Sequence, residues 1–558
     1  MQKRYQYLYP TAAGMNSFDF PCPVGQSQPM KIRIHPASGS DGLRPDPVLL
    51  DAVPGTRMQQ AIWLSGMFNP VPLCGGLARC GRCRVRYLTP APAPLPEEES
   101  VLGPEAVSRG WRLACHRQIP DGGPVPELEL PDTTLAGEEK TAARPAPSGD
   151  AEPCVLAVDL GTTGIAWKAL AGDGAILACG SALNPQEGAG ADVMSRLAYA
   201  SQGNGMTILA GCVRRLLKRI VSRLPVPPRL IVLAGNTAMT DIFLEKDISG
   251  LCAAPYHLSH EGGAVFDLPG LPPVYVPPLA APFIGGDVTA GVCALLSEGQ
   301  KLPWVLADLG TNGEFVLMRE DGTCLATSVP LGPALEGIGP DCGRLAGPGT
   351  ITSFVLTPFG PEPRLFGGGA LAPGARAAGI SATGYLSLLA LLLKTGFLLP
   401  EGQFSSDSGS LQPLARRLLS SLDRKSGVPR LMLPGNVWLS LSDVEEILKV
   451  KAAFSVALDS LLSAAGEGVR SRVTLCIAGA LGEHAAPGDL ETLGFIPSGM
   501  TGAVRAVGNT SLEGAGLLGL HRELRERLSQ MCRDISLLKP DQEQNFHRRY
   551  IDAMHFGG

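Results

Sequence analysis

Two stretches of this sequence end an apolar run in an aspartate and turn at once on Leu-Gly-Thr: Val155-Leu-Ala-Val-Asp159-Leu-Gly-Thr-Thr-Gly164 and Val305-Leu-Ala-Asp308-Leu-Gly-Thr-Asn-Gly313. A carboxylate leaving a buried strand is placed to hold a hydrated Mg²⁺, and the turn behind it offers N–H and hydroxyl groups to phosphate oxygens. Asp159 and Asp308 are therefore the candidate catalytic residues, with Gly161, Thr162, Thr163, Gly310, Thr311 and Asn312 as the candidate phosphate cradle. Either copy alone reads equally well as a plain glycine hairpin. The recurrence is the stronger signal: it marks an internal duplication and predicts two related lobes facing one nucleotide.

A second set of reactive residues lies upstream, in Cys74-Gly-Gly-Leu-Ala-Arg-Cys80-Gly-Arg-Cys83 and in Trp111-Arg-Leu-Ala-Cys115-His116. Three thiols in a glycine-rich loop with a distant fourth come close to the plant-type ferredoxin spacing for a [2Fe-2S] cluster, except that five residues separate the first pair. The glycines let such a loop wrap the cluster and turn amide N–H groups toward the sulfurs. The alternative is zinc on the same four cysteines, which would more typically show paired Cys-x2-Cys knuckles; only Cys80 and Cys83 make one. Arg79, Arg82, Arg84, Arg86, Arg109, Arg112 and Arg117 crowd the site. They read either as a surface that steers an acidic redox partner or as a solvated strand face.

The elements that must carry these groups fit an α/β multidomain chain. At 45% hydrophobic and 18% charged residues the composition excludes a disordered chain, and a net charge of −5 gives no reason to expect nucleic-acid binding. No apolar run is long enough to span a membrane, and the N-terminus lacks a signal-peptide core, so a cytoplasmic protein with no membrane association is expected. The stretch 385–393 reads as a buried helix. We expect an N-terminal extension over 1–29, a β-grasp, ferredoxin-like domain over 30–134 and a flexible Pro/Ala-rich linker over 135–153. A first lobe over 154–300 and a second over 301–558, ending in a C-terminal tail, complete the chain. Thr56 reads as the cap of a helix leading to the cysteines, and Ser442 as the capped start of a long helix. Asp287, after Gly285-Gly286, falls at a helix N-terminus as a polar ligand or a simple cap.

The two aspartate turns resemble the phosphate motifs of the ASKHA superfamily of acetate and sugar kinases and actin, in which two ribonuclease-H-like lobes close on ATP. The resemblance adds an adenosine end: Val473-Thr-Leu-Cys-Ile-Ala-Gly479-Ala-Leu-Gly482, followed by Gly508-Asn509-Thr-Ser-Leu512, with Ala480 where a second glycine is usual. A ferredoxin-like domain joined to ASKHA lobes in turn resembles the reductive activators of corrinoid proteins, over roughly residues 30 to 558. Its carriers include the cysteine loop, Asn184-Pro-Gln186, Gly235-Asn-Thr-Ala-Met239, Gly332-Pro-Ala-Leu-Glu-Gly337, Ile380-Ser-Ala-Thr-Gly384 and the tail that begins at Phe546. Ala78 replaces a glycine usual in the cluster loop.

What the resemblance implies is an ATP-hydrolysing iron-sulfur activase of anaerobic metabolism that uses a [2Fe-2S] cluster, ATP and Mg²⁺. An electron from reduced ferredoxin, flavodoxin or another donor would pass to the inactive Co(II) corrinoid protein of a methyltransferase system and restore Co(I). The family's homodimer is a further expectation, set against a linker that leaves little room for the extra middle domain some members carry. The competing readings are an ATP-dependent activator of another low-potential metalloenzyme and an ASKHA small-molecule kinase with an attached redox domain.

Overall fold

The computed structural model describes residues 29–37, 45–74, 76–78, 80–131, 133, 140–143 and 152–557, apart from 407, 408, 410, 412, 425, 426, 467 and 540–544. Residues 1–28 of the expected extension over 1–29, most of the expected linker and Arg79 lie outside the described residues.

In strand Met30–His35, Ile32 and Ile34 point inward while Lys31 and Arg33 face out, the two-residue period of a half-buried strand. This strand pairs antiparallel with Val48–Ala52 and parallel with Glu127–Glu129, and the sheet continues through Arg84–Tyr87 to Trp111–Leu113. Helix Met58–Trp63 closes the core by burying Met58, Ile62 and Trp63 against Ile32, Ile34 and Leu128. Arg57, not Thr56, holds its N-cap position: the Thr56 backbone is already engaged as acceptor from the Ile119 amide and donor to Val53. The cysteine loop runs from this core to the lobes.

Each lobe is built on a three-strand antiparallel meander whose first strand also pairs in parallel with later strands. In the first lobe Cys154–Leu160, Gly164–Leu170 and Ile176–Leu183 form the meander, and Pro228–Gly235 lies parallel beside Cys154–Leu160. In the second, Trp304–Leu309, Asn312–Met318 and Cys324–Pro330 do the same, with Thr474–Ala478 as the parallel neighbour. The leading strands are apolar on both faces because both faces are covered, so Val155 to Val158 and Val305 to Ala307 are all buried. This is the two-lobed α/β architecture the repeated aspartate turn predicts.

The two halves of the chain exchange helices. Helix Gly286–Ser297, from the first half, packs Val288, Val292 and Leu295 on Trp304, Leu306 and Cys476 of the second sheet. Helix Thr510–Leu520, from the second half, packs Ala515 and Leu518 on Val155, Ala157 and Val232 of the first. The helices cross where they lack side chains: a Cβ on Gly514 would stand 1.8 Å from the Ala290 carbonyl oxygen. A boundary at residue 300 thus divides the chain but not the cores.

Part of the expected linker is a strand, since Lys140–Ala143 pairs antiparallel with residues 178–181 at the edge of the first sheet. The long second-half helix starts at Leu441, with a capping box between Ser440 and Asp443, one residue before the expected Ser442. It anchors the second core through Phe454, which meets Phe315 and Phe495 edge-to-face. The tail returns to this core: Phe556 is buried, and Lys451 Nζ donates to the His555 carbonyl at 2.8 Å.

Candidate functional site

Asp159 and Asp308 stand at corresponding ends of the two leading strands and face one cavity of about 720 Å³ between the lobes. Gly161, Thr162, Thr163, Gly310, Thr311, Asn312, Gly479 and Asn509 line the same cavity. The first turn needs its glycine, because a Cβ on Gly161 would come within 2.7 Å of the Gly164 carbonyl oxygen. The turns meet through Glu336, a residue the sequence reading passed over. The Thr163 and Thr311 hydroxyls both donate to its carboxylate, the latter at 3.2 Å. Burial pushes the Glu336 carboxyl above the usual range, against the pull of those two hydroxyls.

The cavity is lined by five carboxylates, not two, Glu336 among them. Glu314 lies directly across the hairpin from Asp308, and Asp287 enters from the first turn of the Gly286–Ser297 helix. Burial first, then mutual repulsion, raises Asp287 to about 8 and, with Asp159 as the repelling neighbour, Asp308 to about 7. Glu314 is raised well above its usual range by the same two causes. Among the described residues no three carboxylates, thiols or imidazoles converge to hold a metal ion by direct contact. This donor set fits a hydrated Mg²⁺ with nucleotide phosphates, charge being neutralised through the metal's waters.

The two strand-end aspartates are not equivalent. Asp159 accepts from Asn509 Nδ2 at 2.8 Å and from Ser511 Oγ at 2.9 Å, so the start of the Thr510–Leu520 helix claims both its oxygens. Those bonds oppose the raising effect of burial. Asp308 is held only by the Leu309 backbone amide. Asn509, expected at the adenosine end, is thus the partner of Asp159 and the cap of that helix, its Oδ1 accepting from the Leu512 amide at 2.8 Å. Gly482 and Gly508 do not line the cavity. Gly482 lets helix Gly479–His484 sit against Ile477, whose carbonyl oxygen a Cβ would approach to 2.2 Å, and the Gly508 carbonyl accepts from the Gly479 amide.

The four cysteines gather at one end of the N-terminal domain, with Cys74, Cys83 and Cys115 buried and Cys80 half-buried. They stand as two hydrogen-bonded pairs, Cys74 with Cys80 and Cys83 with Cys115. The partner thiol and burial push Cys80 and Cys83 above the usual range; the hydrogen bond from Cys83 holds Cys115 below it. Cys115 also feels Cys74, and Cys83 feels Cys80, so the four thiols form one neighbourhood. Backbone N–H groups aim at the sulfurs: those of Arg82 and Cys74 at Cys80, and that of Ala78 at Cys115. Ala78 occupies the left-handed region at φ 52°, the conformation for which glycine is usual. Several of the surrounding arginines are spent internally, Arg112 and Arg117 on buried Glu98, and Arg84 and Arg86 stacked over Trp111.

The cysteine loop is docked on both lobes. Leu73, the residue before Cys74, donates its amide to Glu187 Oε2 at 3.4 Å, and Gln59 Nε2 donates to the Gly188 carbonyl at 3.1 Å, both on the first lobe. Arg82, between Cys80 and Cys83, donates to the Gly343 carbonyl of the second.

Two family models match. The RACo middle region covers residues 154–297, and the C-terminal domain of RACo, the ASKHA domain, covers residues 303–558. The middle region is the first lobe itself, so the short linker does not cost the chain that region. A corrinoid activation enzyme, RamQ, of Eubacterium limosum is 26% identical over 416 residues, 68% of this chain and 66% of that relative. The [Co(II) methylated amine-specific corrinoid protein] reductase of Methanosarcina barkeri is 25% identical over 290 residues, 47% of each chain. The chain thus spans just under two thirds and about half of these two relatives. Among solved structures, a reductive activator for corrinoid, iron-sulfur protein superposes with a TM-score of 0.62 at 20% identity, over 94% of this chain and 98% of that one. At that identity the likeness establishes the fold.

Proposed function

Since the chain belongs to the RACo family, carrying its middle and ASKHA regions in order from residue 154 to residue 558, we propose that it is an ATP-dependent reductive activator of a corrinoid protein. The observation that carries this reading is the seating of the cysteine loop on both lobes of a cleft lined by five carboxylates. The names of the relatives supply the substrate class, a corrinoid protein in the Co(II) state. An ASKHA kinase would need the cleft alone.

In this proposal Cys74, Cys80, Cys83 and Cys115 would hold a [2Fe-2S] cluster. Bound there, the cluster supplies a one-electron carrier. The threonine and glycine turns bind the phosphates of ATP, and Asp308, Asp287 and Glu314 hold hydrated Mg²⁺ and orient the attacking water. Asp159 fixes the start of the Thr510–Leu520 helix against the first turn. One electron leaves a low-potential donor such as reduced ferredoxin or flavodoxin, and Co(II) becomes Co(I). A plant-type cluster lies near roughly −400 mV, and every ~59 mV uphill costs about a factor of ten in a one-electron equilibrium. ATP offsets such a gap only by favouring a complex in which cobalt is easier to reduce. The whole reaction runs in the cytoplasm in this reading.

The test is the visible spectrum of a Co(II) corrinoid protein incubated with this protein and a reductant, with and without MgATP. Co(I) should form only with ATP. Equal Co(I) with and without ATP, or none in either, would end the proposal.

A further inference from the structure

The motif Asn184-Pro-Gln186 has no part in the reaction as described, yet its surroundings join the two halves of the machine. The Asn184 amide donates to the Thr163 carbonyl at 2.8 Å, and Asn184 Nδ2 donates to the Gly161 carbonyl at 2.8 Å. Both acceptors belong to the first phosphate turn. The chain then folds tightly on itself, with the Gln186 amide on Asn184 Oδ1 at 2.9 Å and the Glu187 amide on the Asn184 carbonyl at 3.2 Å. Glu187, three residues on, accepts from the amide that precedes Cys74. The polar side chains here are closed off from solvent: Asn184, Gln186, Glu187 and Arg196 are fully buried.

Arg196 fixes the turn's geometry. Its guanidinium donates to Gly190, Gln186 and Glu187, the last at 3.1 Å, so the Glu187 side chain has little freedom of its own. At Gly188 the fit to the N-terminal domain is close, since a Cβ would meet Leu64 Cγ at 3.0 Å and Trp63 Cβ at 3.2 Å. The longest contact in the chain of bonds, 3.4 Å from the Leu73 amide to Glu187, is at the weak end for a hydrogen bond and is the one that yields first.

We propose that the 184–188 turn is the positioning element through which nucleotide in the cleft sets the place of the cysteine loop, Asn184 following the first phosphate turn and Glu187 holding the amide before Cys74. Phosphates drawing in the Gly161–Thr163 backbone move Asn184 with it, and the buried, Arg196-locked turn passes the shift to Glu187 as a unit. This rests on the reading of loop and cleft as parts of one activator, and supplies the differential contact by which ATP reaches the cluster.

The experiment is hydrogen exchange on the full chain with its cluster reconstituted, with and without the magnesium complex of a non-hydrolysable ATP analogue. In wild type the analogue should protect both phosphate turns and speed exchange several-fold over 68–74. In Glu187→Gln the turns should still be protected while the response at 68–74 is lost. Gly188→Ala, which wedges the interface without touching the buried ion pair, gives a second arm with the same expectation. The resonance of the reduced cluster should likewise respond to nucleotide in wild type alone. Unchanged exchange at 68–74 in wild type, or an undiminished response in both variants, overturns the proposal. Cobalt reduction measured on the same samples separates the two ideas: a nucleotide response at 68–74 without ATP-dependent Co(I) sinks the activator reading and leaves the coupling standing.

Discussion

Four thiols and five carboxylates make up the two reactive regions of this molecule, and they are assembled in different ways. The thiols come from one loop and from the short turn Ala114–His116, all within one small domain. The carboxylates come from two strand ends, a hairpin partner, a helix start and the turn Pro333–Glu336, drawn from both halves of the chain. A site held in one small domain can lose one ligand and keep its fold, whereas a site made by two lobes registers every change in how they sit. The first suits a carrier that must only accept and give an electron, the second a cleft that must sense closure.

The sharpest way to break this comparison is Cys80→Ser. We expect complete loss of cobalt reduction with nucleotide turnover kept within a few-fold, read from paired Co(I) and phosphate-release assays; if cobalt were still reduced from the same donor, the electron would be bypassing the loop. Next comes Asp308→Ala, which should lower turnover by about 10²-fold or more while nucleotide affinity changes little, because positioning and not binding is lost. Asp159→Ala should reverse that balance. It strands the Asn509 amide and the Ser511 hydroxyl, so about 1–3 kcal/mol of stability goes with a smaller loss of turnover, and a melting curve beside a kcat measurement decides.

The carboxylate region should also respond to pH. Asp308 near 7 and Asp287 near 8 are raised by burial and by like charges, so between the usual carboxylate range and about pH 8 the folded chain binds more protons than the unfolded one. Their contribution to stability is therefore full at low pH and is lost as pH rises through 7 and 8. Without metal the Tm should fall across that interval, and Mg²⁺ should remove the fall and release protons on binding; a metal-independent Tm would deny the cluster its role. The smallest effect lies back in the cysteine loop: Ala78→Gly should stabilise the N-terminal domain by about 1 kcal/mol, since alanine at φ 52° pays a steric cost glycine avoids.

The same contrast explains what could be read from sequence. The cysteine quartet and both aspartate turns were legible because each is a local pattern. Glu314 was within reach, six residues beyond Asp308 in a hairpin whose register sets it opposite; the first copy has Ala166 across from Asp159. Asp287 was visible only as a helix start, and Glu336 only as part of a glycine motif, because nothing local tells which cavity a turn will face. Gly482, expected at the adenosine end, packs its helix against Ile477, and a glycine that admits a backbone and one that admits a ligand have the same composition around them. The seating of the cysteine loop depends on single bonds from Leu73, Gln59 and Arg82, which no periodicity announces.

The exchange of helices between the lobes also sets an order of manufacture. Residues 510–520 cover Val155, Ala157 and Val232, so the first lobe cannot finish its sheet until nearly the whole chain has left the ribosome. The N-terminal domain, by contrast, has all its strands in hand once residue 129 emerges. At ordinary rates of translation the interval is on the order of tens of seconds. During it the cysteine loop stands complete and uncovered, because the surfaces that later clasp Leu73 and Arg82 have not yet formed. Synthesis from the N-terminus thus leaves the thiols within reach of solvent before the two lobes close over the loop.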